Sequence, residues 1–163
     1  MKNILIPTDF SIRSLGYVHA IAEQHAEETI NIIYFHALKM PSSLMDLMSF
    51  TRDKSHIKLM SRDFCDACEI LKNKYGKSFG KLDITYFHGD TKVAFKNFLL
   101  ANNIDVIALP QDFEYHAASP ESYDPSALIR RSGWELMTVK FPQKRNYITR
   151  ATISELLTDN IHQ

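Results

Sequence analysis

The sequence predicts an α/β protein built on a doubly wound, open parallel sheet with helices on both faces. Two observations carry that prediction. Short apolar runs rich in Ile, Val and Leu recur along the chain, the pattern of strands buried on both faces. Between them lie stretches whose apolar residues fall three and four apart, and the two patterns alternate from end to end. Right-handed crossovers then fix the layering.

The elements follow in order. "NILIP" (3–7) is a continuous apolar run ended by Pro7, and Ser11 is placed to cap a helix over about 12–26 with Leu15, Val18, Ala22 and Ala26 on one stripe. "INIIYFHAL" (30–38) is a second buried strand. The loop "KMPSSLMDLMSF" follows; its methionines suit adaptable packing, and we expect a flap with at most a short helical turn. Ile57, Met60, Phe64, Cys68, Leu71 and Tyr75 predict one long helix over 51–75, which Gly76 ends. In 82–88, Leu82, Ile84, Tyr86 and His88 alternate onto one face, the pattern of a strand near a sheet edge. Gly89-Asp90 turns into a helix at about 91–102, closed by Asn102-Asn103, and "IDVIALP" (104–110) is the next buried strand. A long irregular segment, "QDFEYHAASPESYDP", precedes a short helix around "SALIRRS" and a final strand, "ELMTVKF" (135–141). One α/β domain therefore covers 1–141. Residues 142–163 form an extension in which Thr152-Ile153-Ser154-Glu155 matches a capping box and Ile153, Leu156, Leu157 and Ile161 predict a short amphipathic helix.

Composition narrows the function. With 45% hydrophobic and 23% charged residues the chain is of the ordinary globular class, and its 163 residues suffice for a proper core. Lys plus Arg and Asp plus Glu both number 19, so no basic excess favours nucleic acid or an anionic membrane. No apolar run reaches the roughly 18 residues a membrane span requires. Two cysteines and no export signal lead us to expect a reducing cytoplasm.

The order of elements, "NILIPTDFS", the Gly89-Asp90 turn and "NNIDVIALP" together resemble the universal stress protein family, over about residues 2–141. The resemblance implies a Rossmann-like, adenine nucleotide alpha hydrolase-like sheet of five parallel strands in the order 3-2-1-4-5, and a dimer. In nucleotide-binding members the fourth strand runs into Gly, two residues, Gly, nine residues, then Gly before Ser or Thr. Glycine is needed there because the backbone must approach phosphate closely and donate N–H groups. Aligned on "IDVIALP", the first glycine falls at Pro110, which has no N–H, and the second at Phe113. The third falls near Ser122-Tyr123, and Asp112, Glu114, Glu121 and Asp124 bring negative charge where phosphates would lie. The phosphate cradle is absent from the sequence, and we expect no nucleotide or other cofactor.

The candidate ligand residues are Asp9, His36, Gln111 and Asp112, all expected where a parallel sheet opens its crevice, at the carboxyl ends of strands. Asp9 occupies the acidic position that contacts the base or ribose end of the nucleotide in the family. It equally suits a turn, accepting hydrogen bonds from the N–H groups that follow. His88 and His116 are further candidates for a joint site with His36. Cys65 and Cys68 form a C-x-x-C, but on the predicted long helix they fall mid-helix, which favours packing thiols over a redox or metal pair. No Ser-His-Asp set, nucleophile elbow or second metal-ligand pair is visible, so no catalytic or metal residue is assigned. The reading that results is a non-enzymatic, non-ATP-binding, dimeric stress-response interaction or signalling module. The final strand, with Leu136, Met137, Val139 and Phe141, is the expected interface. A small-ligand or nucleoside sensor is the alternative, and a C-x-x-C redox module ranks third.

Overall fold

The structure is a computed structural model that describes residues 1–45, 48 and 59–141. Five strands, β1 (Lys2–Pro7), β2 (Ile30–Leu38), β3 (Phe79–His88), β4 (Val106–Pro110) and β5 (Leu136–Val139), form one sheet in the order β3-β2-β1-β4-β5. Every neighbouring pair is parallel, with Ile4 opposite both Ile32 and Val106. The helices are α1 (Ile12–Leu15), α2 (Tyr17–Gln24), α3 (Arg62–Lys74), α4 (Lys92–Ala101) and α5 (Ser126–Arg131). Period-two alternation divides the strand side chains between two cores. Ile4, Ile6, Ile32, Tyr34, Val106, Ala108 and Val139 pack with residues of α1, α2 and α3 on one face. Leu5, Ile33, Phe35, Ile107 and Leu109 pack with residues of α4 and α5 on the other. At about 1.5–3 kcal/mol for each large apolar side chain removed from water, both faces must be covered for such strands to be stable.

Several boundaries differ from the sequence expectation, and at the helices the physical reason is visible. The helix expected over 12–26 is two short helices broken at Gly16, where a Cβ would lie 2.4 Å from Phe141 Cε2. The glycine makes room for that ring, which also meets Tyr17 edge-on at 5.3 Å. The long helix expected over 51–75 begins only at Arg62, because the Ser61 hydroxyl accepts the Phe64 N–H and caps it there; Met60 precedes the cap. The remainder of that expectation, with Ile57, lies outside the described residues, as does the helix expected in the 142–163 extension. β3 starts at Phe79, earlier than expected, while β5 is confined to Leu136–Val139. Ser11 caps α1 as the sequence suggested, and the Thr91 hydroxyl caps α4 by accepting the Ala94 N–H. Among the described residues no helix is long and apolar enough to cross a membrane.

The turn after β3 sets one stringent backbone requirement. Gly89 has φ of 142°, and a Cβ there would sit 3.3 Å from Phe87 Cζ. Its carbonyl also accepts the Tyr123 hydroxyl. Gly89→Ala is therefore expected to cost about 1–3 kcal/mol in urea unfolding, since an L side chain is strained in that region of backbone space.

Candidate functional site

The crevice of this sheet lies beyond the carboxyl ends of β1, β2 and β4, and the chain's own residues 111–124 cross it. Thr8-Asp9-Phe10-Ser11 leaves β1 in a tight turn. Ser14 Oγ donates to the Ser11 carbonyl (2.7 Å), so the Thr8 hydroxyl donates to Ser14 Oγ (2.7 Å) while accepting the Phe10 N–H (3.0 Å). These bonds hold Phe10 at φ of 65°, an uncommon conformation for a residue with a Cβ. Its ring is stacked on His36 at 4.3 Å and meets Phe64 edge-on at 5.3 Å, which offsets the strain by burial.

Asp9 is buried, with no solvent access to its side chain. Oδ1 accepts the Ser11 N–H (2.9 Å) and the Ser11 hydroxyl (2.5 Å), the turn geometry expected from the sequence. Oδ2 accepts the backbone N–H of His116 at 3.1 Å, from the far side of the crevice. The His116 ring is exposed and its Nδ1 lies 3.9 Å from Oδ2. Asp9 thus fastens the segment after β4 to the end of β1.

A second fastening uses His36, which is fully buried near the end of β2. Its Nδ1 lies 2.8 Å from the Thr8 carbonyl, which can only accept, so Nδ1 carries the proton and donates. Nε2 is then an acceptor and takes the Ser122 hydroxyl at 2.7 Å. Burial pushes the imidazole pKa below its ordinary 6.5, opposed by the Thr8 carbonyl and the Asp9 charge. Around Ser122 the segment runs antiparallel to Leu38, with Lys39 N–H on the Glu121 carbonyl (2.9 Å) and Tyr123 N–H on the Ala37 carbonyl (3.2 Å). Tyr115 lies face-on to His36 at 6.4 Å; burial first, and then Asp9, push its hydroxyl pKa up, so it stays neutral.

A serine hydroxyl on a histidine whose other nitrogen is held by a third group has the outline of a nucleophile and its base. Here Ser122 Oγ also receives the Ser119 N–H at 3.1 Å and lies 3.0 Å from Ser119 Oγ. Those contacts use the hydrogen-bonding capacity of the hydroxyl within the chain and tie residues 119–122 to the end of β2.

The other candidates are placed as follows. Gln111 and Asp112 are exposed at the start of the crossing segment, and Gln111 N–H continues the sheet by bonding the Val139 carbonyl (2.9 Å). Phe113, at the position where a glycine would stand in the phosphate cradle, meets Tyr17 edge-on at 5.8 Å and packs against the core. The Tyr86 ring lies between His36 and His88, and His116 faces Asp9, so the three histidines do not converge. Cys65 and Cys68 are free thiols in the first two turns of α3, a correction to the mid-helix placement that follows from the later helix start. Cys65 is exposed, whereas Cys68 is buried and its thiol pKa is pushed up to about 12, the opposite of an activated thiolate. No group of three or more His, Cys, Asp or Glu residues that could hold a metal ion is present among the described residues. Ser122 and the His116 amide, the two partners that organise the site, had no sequence signal, lying 86 and 107 positions from the residues they bind.

Removing the Asp9 carboxylate separates its roles. Asp9→Ala is expected to lose about 2–3 kcal/mol in urea unfolding, the range for charge-assisted bonds deleted from buried donors. Asp9→Asn can still serve Ser11 but turns an N–H toward the His116 N–H, so it is expected to recover less than half of that loss.

No protein-family model matches the sequence, and no curated protein sequence matches it significantly. Solved structures do match. The hypothetical protein PH0823 is 15% identical with a TM-score of 0.52, covering 88% of this chain and 98% of its own. The hypothetical protein MJ0577 is 16% identical with a TM-score of 0.50, covering 90% and 98%. Universal stress protein UspA from Lactobacillus plantarum is 14% identical with a TM-score of 0.46, covering 85% and 97%. The likeness to the first two shows the fold: an open α/β sheet of five parallel strands in the order 3-2-1-4-5, the order that the sequence resemblance implied.

Proposed function

We propose that this chain is a divergent universal stress protein-like domain that does not bind ATP and acts in the cytoplasm as a dimeric interaction or signalling module of the stress response. The observation that carries the reading is the occupied crevice. Asp9 is saturated by Ser11 and His116, and the segment that would form a glycine cradle supplies Phe113, Tyr115 and Ser122 as packing and latching groups instead. A triphosphate placed there would have to displace the chain's own bonds without the backbone N–H groups that repay the phosphate's lost hydration. Isothermal calorimetry with Mg-ATP is expected to give no saturable heat below about millimolar ligand, the affinity that corresponds to roughly 4 kcal/mol. A micromolar dissociation constant would refute the reading.

The dimer is proposed through β5, an edge strand whose outer backbone groups have no neighbouring strand among the described residues. Val139 is buried and Phe141 is half-buried against Tyr17, so their side chains serve this chain's core. Met137 is half-buried against the same core, so Leu136, at 39% exposed, is the apolar side chain of β5 left for a partner. Pairing of β5 with its copy about a two-fold axis would satisfy both edges, and the zero net charge offers little repulsion. Light scattering is expected to report a dimer, and Leu136→Lys to shift it toward monomer. Full-length protein that stays monomeric at high concentration would sink this part.

A further inference from the structure

Residues 113–123 are joined to the sheet by few cross-crevice bonds, and two of the side chains involved can titrate. We propose that this segment is a proton-controlled strap, closed over the ends of β1 and β2 while His36 is neutral and released when His36 takes a proton. In the closed form the Nδ1–H of His36 donates to Thr8 and Nε2 accepts from Ser122, so both nitrogens are used and the tautomer is fixed. A proton added at Nε2 turns that acceptor into a donor aimed at the Ser122 hydroxyl. Ser122 Oγ would then face two N–H donors, from His36 and Ser119, and its own hydrogen could turn only toward Ser119 Oγ.

The heavier cost is the buried charge. The ring has no exposure and stands among Phe10, Tyr86 and Tyr115. Among the described residues the titratable groups facing it are few. From the β1–α1 turn comes Asp9, whose charge favours the imidazolium but whose oxygens are already held by Ser11 and His116. From β3 comes Tyr86, held neutral because burial pushes its pKa to about 12. From the strap comes Tyr115, also neutral, while His116 faces Asp9 and the remaining strap contact is the uncharged Ser122. Lifting the strap would return water to the imidazolium, so acid favours the open form. Because the closed-state pKa lies below 6.5, the latch holds fully above that value and weakens as pH falls through and below it. Opening would uncover Asp9 and His36, the residues that a small-ligand sensor in this crevice would use.

Amide hydrogen exchange by NMR, without nucleotide, tests the strap independently of the ATP reading. The reporters are the N–H groups of Lys39, Tyr123 and His116, whose bonds cross between strap and sheet. Their protection, corrected for intrinsic exchange, is expected to fall about tenfold between about pH 7.5 and about pH 5.5, while that of Leu5 and Ile33 is unchanged. His36→Gln is expected to abolish the pH dependence, and His116→Asn to preserve it. If His36→Gln does not fold, Ser122→Ala tests the same latch, with low strap protection expected at both pH values. Strap protection that does not change with pH in the natural protein would overturn the proposal. So would a full response surviving in His36→Gln, undiminished strap protection in Ser122→Ala, or a pH response lost in His116→Asn.

Discussion

A carboxylate shut away from solvent must find its hydrogen bonds inside the protein, and Asp9 finds them on both sides of the crevice. One oxygen serves the turn that starts α1, and the other holds the amide of His116. This division joins the first strand to a segment that follows the fourth, and the path of residues 111–124 depends on it. Once His116 is fixed, Tyr115 is set over His36, Ser122 reaches Nε2, and Tyr123 lies beside the ends of β2 and β3. A half-satisfied network in such a place would be worse than an apolar one, because each orphaned donor costs about 1–3 kcal/mol.

The sheet was legible in the sequence because burial on both faces leaves a plain mark. "NILIP", "INIIYFHAL" and "IDVIALP" are the three central strands, and no other reading of their apolar runs fits the chain length. The failures occurred where distant residues decide local structure. Gly16 reads as a tolerable helix glycine until Phe141 is seen to need its missing side chain. The start of α3 was obscured because the apolar stripe continues back through Met60 and Ile57, although Ser61 was there to cap the helix. In the site, the Asp9 turn was legible from Asp-x-Ser alone. The bond to His116 and the His36–Ser122 pair were not, since nothing in a sequence marks which serine a buried histidine will meet.

A packed segment and a glycine-rich anion cradle make opposite demands on a loop. Glycines let a loop bend around a bound anion, but they supply no side chain to hold it when the anion is gone. Phe113, Tyr115 and Tyr123 supply that hold by edge-on packing against Tyr17, a face-on approach to His36 and a hydrogen bond to the Gly89 carbonyl. Each aromatic buries a large apolar area at the cost of few rotors, so three of them can order a segment with little regular structure. Four carboxylates at Asp112, Glu114, Glu121 and Asp124 remain exposed around them, where they oppose an incoming phosphate without burdening the strap.

The sheet order explains why the strap takes the route it does. With β1 central and β4 beside it, the connection from β4 to α5 begins at the point where the winding direction reverses, and carbonyl groups at the strand ends point into an open crevice. Those groups must be met by ligand, water or chain. Sheet and strap meet them in turn: His36 of β2 bonds the Thr8 carbonyl and offers Ser122 an anchor, Tyr123 N–H takes the Ala37 carbonyl, and Lys39 N–H takes the Glu121 carbonyl in return. The chain thereby meets the polar groups at its own strand ends. The contacts that close the crevice are then intramolecular, so competition against them carries no dilution by ligand concentration, only the stability of the strap itself. Whatever loosens the strap acts directly on access to the crevice, and the buried imidazole at its centre makes the proton the smallest agent able to do so.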